Sequence, residues 1–249
     1  SGGWYFSTYL QGVSTAALDL AGNLWIVGAE LGDLTGDWAF LRLDPNGLEF
    51  ASETIPIAGF TWSMPTAILF QPDSKAVIGG WGQLGAPTFH SSFLVHRLLA
   101  GAPSDPDPSF GFTNDGWLNL DYPESAQLQS IALLPNLGLV VAGQAGALAE
   151  EDLIVQRLTA NGISDGTFEE YVAFDVGGLG GDGIGGQVRM VAQSDGKIVL
   201  AARVVTGDSG NTSDVGVARL LPDNSLDPSF GGLGTGKRVF GMAAPPPGN

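Results

Sequence analysis

The chain has 249 residues, 44% of them hydrophobic and only 14% charged, and carries a net charge of −16 from 26 acidic and 10 basic side chains. That surface repels nucleic-acid phosphates and anionic lipid headgroups. The absence of cysteine rules out disulfides, thiolate metal centres and cysteine catalysis, and no run approaches the ~20 apolar residues that a membrane-crossing helix requires.

In chain order, the first predicted element is a strand over Gly3–Leu10 (GWYFSTYL). A hairpin follows at Ala17–Gly28, then an apolar strand, Trp38–Leu43, with an arginine near its end. The same hairpin pattern returns at Ile68–Gly80, Ile131–Gly143 and Met190–Ala201. The same arginine strand returns at Phe93–Leu98, Leu153–Leu158 and Val215–Leu220. The arginines, Arg42, Arg97, Arg157 and Arg219, stand 55, 60 and 62 residues apart. A phenylalanine follows each one: Phe50, Phe110, Phe168 and Phe230. A further strand then closes the unit, most clearly at Gly116–Leu120 and Gly236–Phe240. Gly, Asn and Asp at the hairpin tips tolerate the positive φ that tight turns demand.

Four short strands per repeat of about sixty residues is the content of a propeller blade. One such sheet has two apolar faces and needs neighbours to cover them. The expected fold is therefore all-β, a β-propeller of about four four-stranded blades, with a linear β-solenoid as the architectural alternative. The repeats run at about 11–50, 51–110, 111–168 and 169–230, inside a single domain over 1–241. Outer strands flank them at 3–10 and 236–241, and a Pro-rich tail occupies 242–249. Five outer strands for four blades leave one over. It either closes a ring or pairs with a neighbouring molecule. The start at Ser1 fits a processed chain and a trimmed one equally.

The run Ala192–Leu200 (AQSDGKIVL), then Val217–Leu220 (VARL), then Asn224–Gly231 (NSLDPSFG) resembles the delta-60 repeat. Asp107–Gly111 (DPSFG) repeats its last part; Ser164–Phe168 and Asn46–Phe50 are degenerate copies. The resemblance implies a bacterial, usually exported, propeller-like protein, laid out like NHL-type propellers. It carries no activity with it.

The four arginines could form a ring of cations facing an anionic ligand. Their repetition by blade predicts instead a structural pairing with aspartates such as Asp73, Asp107, Asp195 or Asp227. The phenylalanines read as plugs between blades. Gly177–Gly185 matches one copy of a calcium-binding nonapeptide, with Asp182 as the candidate ligand; shared calcium sites need consecutive copies. His90 and His96 are the only histidines and do not make a zinc motif. No G-x-S-x-G or Walker pattern occurs, and Glu150–Glu151 and Glu169–Glu170 read as solvated charge. Asn211–Ser213 is a formal glycosylation sequon.

One mouth of a propeller would be built from the loops Gly59–Met64, Tyr122–Gln129, Gly80–Ser91 and Arg203–Asp214. Trp62, Trp81, Phe89, His90 and Tyr122 fall there and could stack on sugars or anchor a protein; a packing role is their other reading. The expected function is a non-catalytic, secreted or cell-surface module for structure or binding. It would have a protein or glycan partner or associate with itself through exposed strands, and need no cofactor beyond calcium at most. Two alternatives stand beside it: a subunit of a surface assembly joined by strand exchange, and a propeller hydrolase or lyase acting on a polymer.

Overall fold

The computed structural model describes residues 10–30, 36–146, 152–166, 169–174, 184–206 and 212–241. The first sheet contains β1 (Leu10–Leu18), β2 (Leu24–Glu30), β3 (Trp38–Leu43) and β4 (Glu49–Ile55). The second contains β5 (Trp62–Phe70), β6 (Ala76–Gln83), β7 (Ser91–Leu99), β8 (Ala102–Pro106) and β9 (Trp117–Leu120). The third contains β10 (Ala126–Leu133), β11 (Leu139–Ala145), β12 (Asp152–Leu158) and β13 (Glu170–Val172). The fourth contains β14 (Ile184–Ala192), β15 (Ile198–Thr206), β16 (Thr212–Leu220) and β17 (Lys237–Phe240). Within each sheet the strands lie in chain order, and the second adds β9 beside β7. There, β8 pairs with Leu98 and Leu99, and β9 with Phe93–His96, so two short strands share the outer edge end to end.

Each sheet opens on the same turn. The fourth residue of each turn returns its N–H to the first residue's carbonyl, at Gly22, Ser74, Leu137 and Gly196, and all four have positive φ. Gly22 and Gly196 adopt that conformation without strain, whereas Ser74 and Leu137 hold it with a side chain attached.

The chain divides into two compact units, Ser1–Ile131 with Ala160–Ile163, and Ala132–Thr159 with Ser164–Asn249. The core of the first packs Trp25, Val27 and Phe40 of the first sheet against Ala76, Ile78 and Leu98 of the second. The core of the second packs Val140, Ala142 and Val155 of the third sheet against Leu200, Ala202 and Val204 of the fourth. Alternation puts these residues on one face. Trp25 and Val27 are two apart in β2, and Val140 and Ala142 two apart in β11. Burying each large side chain contributes roughly 1.5–3 kcal/mol.

Two segments expected as loops, Gly59–Met64 and Gly80–Ser91, are strand in part. β5 begins at Trp62, and β6 runs on through Gly80 and Trp81 to Gln83. The glycines Gly80 and Gly82 serve close packing there. A Cβ on Gly80 would stand 2.1 Å from the Met64 carbonyl oxygen, and one on Gly82 would stand 2.7 Å from the Phe60 ring. The third expected loop, Tyr122–Gln129, likewise becomes strand from Ala126. Residues 3–9 of the N-terminal strand, the 242–249 tail, Phe168, Asp182 and the Asn211 sequon position lie outside the described residues.

Candidate functional site

The recurring arginines have well-defined partners. In the second sheet Arg97 is fully buried, with Nε 2.8 Å from Asp107 Oδ2. Nη1 donates to Gln71 Oε1 at 3.1 Å and to the Ala160 carbonyl; Nη2 donates to Ser109 Oγ at 2.9 Å and Asn161 Oδ1 at 3.0 Å. The guanidinium also lies 4.7 Å over the Phe110 ring. Asp107 accepts from the Ser109 N–H and hydroxyl, at 2.9 and 2.7 Å, and pairs with Lys75 at 3.0 Å. Burial raises the pKa of the Asp107 carboxyl, but these donors and the two cations outweigh it and hold it at about 2.

The fourth sheet rebuilds the same latch. Arg219 Nε donates to Asp227 Oδ2 at 2.9 Å and Nη2 to Ser229 Oγ at 3.0 Å, over the Phe230 ring at 4.8 Å. Lys197 pairs with Asp227 at 3.3 Å. The Ser229 hydroxyl and N–H, then Lys197 and Arg219, hold the Asp227 carboxyl far below the usual range against its own desolvation. In the third sheet Arg157 donates to Asn224 Oδ1 at 2.7 Å and to the Gly196 and Leu221 carbonyls at 3.0 Å each. Arg42 in the first sheet stacks over Trp25 and Phe50, with Asp19 at 3.8 Å. Asp107 and Asp227 are thus aspartate partners as expected, whereas Asp73 and Asp195 pair with Lys75 and Lys197. These bonds occupy the cations in joints within and between hairpins.

The residues expected at a binding mouth gather along one end of the second sheet. Trp62 is 48% exposed and meets Trp81 edge-on at 5.4 Å. Register puts Gln83 opposite Trp62, and the Gln83 amide donates to the Phe89 carbonyl at 3.4 Å. Phe89 is exposed and holds a φ of 44°, a strained conformation for an aromatic residue. The next residue, His90, has Nε2 2.7 Å from Asp121 Oδ1, which also accepts from Ser92 Oγ at 3.0 Å. Tyr122 is buried edge-on against Phe93 at 5.1 Å. The result is a half-exposed aromatic edge with an exposed carboxylate beside it.

In this trio the Ser92 hydroxyl donates to the carboxylate rather than to the imidazole, unlike a serine–histidine pair. His96 sits elsewhere, stacked 3.8 Å on Trp117 with Nδ1 2.9 Å from the Gly116 carbonyl. Burial lowers its pKa to about 4, and it stays neutral above that. Among the described residues no three His, Asp or Glu side chains group as metal ligands. Asp121, Gln71 and Asn161 escaped sequence reasoning. Gln71 had a signal, because Gln193 recurs at the same turn position, but Asp121 is one acid among many.

The family described as "Domain of unknown function (DUF5122) beta-propeller" matches residues 193–230, from the opening turn of the fourth sheet to Phe230. No curated protein matches the chain. Among solved structures, the polysaccharide lyase Uly1 superposes with a TM-score of 0.52 at 11% identity, covering 90% of this chain and 55% of the lyase. The chain thus spans about half the length of that relative. A regucalcin described as a calcium-binding protein, from Agrobacterium tumefaciens, gives a TM-score of 0.40 at 13% identity, covering 88% of this chain and 73% of that one. MPT-4, a mannose phosphorylase from Leishmania mexicana, gives 0.42 at 13% identity over 95% and 73%. With four sheets of consecutive antiparallel strands, the fold is an all-β propeller with four blades.

Proposed function

We propose that this propeller is a non-catalytic binding module of the bacterial cell exterior, and that its ligand, a glycan or a protein side chain, stacks on the edge formed by Trp62, Trp81 and Phe89. The half-exposed Trp62 beside Trp81 carries this reading. Flat aromatic surface flanked by the Gln83 amide and the Asp121 carboxylate suits sugar rings, which present apolar faces and hydroxyl rims. The net charge of −16 favours a neutral or cationic partner. Assignment to the delta-60 repeats is part of the proposal, supported by the Gln193–Gly231 stretch, and export follows from that assignment.

Titration of neutral oligosaccharides by calorimetry tests it. Binding should weaken at least tenfold, about 1.4 kcal/mol, in Trp62→Ala. Equal binding by wild type and Trp62→Ala, or no binding at all, overturns it. Cleavage of the same oligosaccharides would favour a polymer-degrading enzyme instead.

A second reading, a subunit of a surface assembly, is favoured by apolar side chains left open on the terminal sheets. Val13 and Leu18 of the first sheet are 68% and 64% exposed, and Val191 of the fourth is 62% exposed.

A further inference from the structure

The arginines of the second and third sheets obey one rule. Each reaches the turn after the third strand of the next sheet and takes an asparagine oxygen there. Arg97 donates to the Ala160 carbonyl and to Asn161 Oδ1, the latter at 3.0 Å, in the turn after β12. Arg157 donates to Asn224 Oδ1 at 2.7 Å and to the Leu221 carbonyl at 3.0 Å, in the turn after β16. Arg42 belongs to the first sheet, so its matching turn is the one after β7. That turn is Ala100–Gly101, between Leu99 of β7 and Ala102 of β8, and it contains no asparagine.

Arg42 therefore lacks the acceptor that its counterparts have. Among the described residues its Nε is buried with no hydrogen-bond partner. Asp19 Oδ2 stands 3.8 Å from Nη2, beyond hydrogen-bond range. That carboxylate is already occupied: it accepts from the Ala21 and Asn23 N–H groups, from Asn23 Nδ2 and from Trp25 Nε1, at 2.9 to 3.1 Å. The rings of Trp25 and Phe50 each lie 4.5 Å from the guanidinium and fix its position. Beside it is a cavity of about 170 Å³, whose lining includes Asp19, Trp25, Arg42, Phe70, Leu99 and Gly101. Among the described residues, no atom lies within 4 Å of a Cβ built on Gly101. Leu20, Ala21, Ser74 and Gly101 also line the cavity and are exposed, so it opens to solvent among three turns. Phe70 ends β5, the strand that Trp62 begins, so this cavity is separate from the aromatic edge.

We infer that this cavity binds the N-acetyl group of a small ligand, whose carbonyl oxygen takes from Arg42 the hydrogen bond that Asn161 and Asn224 take from Arg97 and Arg157. An amide oxygen is the acceptor both counterparts select. A neutral one fits best, because Asp19 and Glu53 already place negative charge on Arg42 and a further carboxylate would be repelled. The acetyl methyl packs against Phe70, Ala76 and Leu99. An acetylated amine and an N-acetylated sugar present the same group.

Titration of the whole chain, followed by the NMR signal of the Trp25 indole N–H, tests this. N-methylacetamide or N-acetylglucosamine should shift that signal and saturate at about millimolar strength. Acetate and glucose should bind at least tenfold more weakly. Gly101→Asn supplies the missing side chain at a φ of 78°, which asparagine tolerates. It should melt no lower than wild type and weaken amide binding at least tenfold. Arg42→Met keeps an apolar chain over the two rings, removes the donors and should weaken binding as much. Saturation by both amides assigns an amino sugar, and by N-methylacetamide alone an acetylated amine. No binding of either amide, equal binding of acetate, or binding that survives both substitutions overturns the inference.

Discussion

Arg97 and Arg219 start from the same local chemistry and end in different surroundings. Both stand near the end of the third strand of their sheets. Each pairs with the aspartate of a D-P-S-F-G segment, bonds its serine and covers its phenylalanine. Around Arg97, Gln71, Ala160 and Asn161 complete the shell, and Phe110 is fully buried. Among the described residues, the hydrogen-bond partners of the Arg219 side chain belong to its own sheet, and Phe230 is only half-buried. The five-residue segment therefore builds the latch, and the following turn buries it. Local sequence fixes the geometry of the pair, whereas burial decides how much it matters for stability.

The largest expected effect tests that division. Arg97→Ala should cost about 3–5 kcal/mol in urea unfolding, because it leaves Asp107 buried beside a single lysine. Arg219→Ala, losing a partly exposed pair, should cost about 1 kcal/mol. Equal losses would show that the turn contributes nothing.

Acid sharpens the same contrast. His96 titrates near 6.5 when unfolded and near 4 when folded, so the unfolded chain binds more protons between those values. Stability should fall as pH drops through that window, by up to about 3 kcal/mol, and His96→Gln should flatten the loss. Asp107 acts in a separate window. Its stabilisation is complete above its unfolded value of 3.8 and is lost as pH falls toward 2. Midpoint denaturant against pH should show the two steps.

Smaller still, Asn161→Ala removes a bond to a buried cation and should cost about 1.5–3 kcal/mol at most. Asn46→Ala, at the equivalent exposed turn, should leave monomer stability within about 0.5 kcal/mol. The smallest change is Leu137→Gly, which relieves a left-handed leucine against the greater freedom of unfolded glycine. It should stabilise by no more than about 1 kcal/mol.

The four-fold hairpin and arginine pattern was legible because spacing and alternation are properties of the chain alone. The partners were legible only in part. Asp107 and Asp227 lie within ten residues of their arginines, inside a recognisable motif, so pairing could be anticipated. Asn161 and Asn224 lie more than sixty residues away in turns that look like any other polar turn. The packing role of Gly80 and Gly82 was hidden for a related reason. Glycine in a strand is explained by what approaches it, here the Met64 carbonyl and the Phe60 ring, and that neighbour is not encoded nearby. The Trp62–Trp81 edge followed from aromatic content, whereas the His90–Asp121 pair needed the β9 strand to bring its end beside β7.

The separation between joined residues has a consequence for folding. Arg97 and Asn161 are 64 residues apart, and Arg157 and Asn224 are 67 apart. Closing a loop of that length costs a few kcal/mol of chain entropy, and the cost rises only logarithmically with length. Because each of these two joints spans one repeat, adding repeats with such joints leaves the cost per joint unchanged, while contact order relative to total length falls. A chain built this way can gain or lose a repeat at either end without retuning the joints already made, and its folding can spread from whichever pair of neighbours forms first.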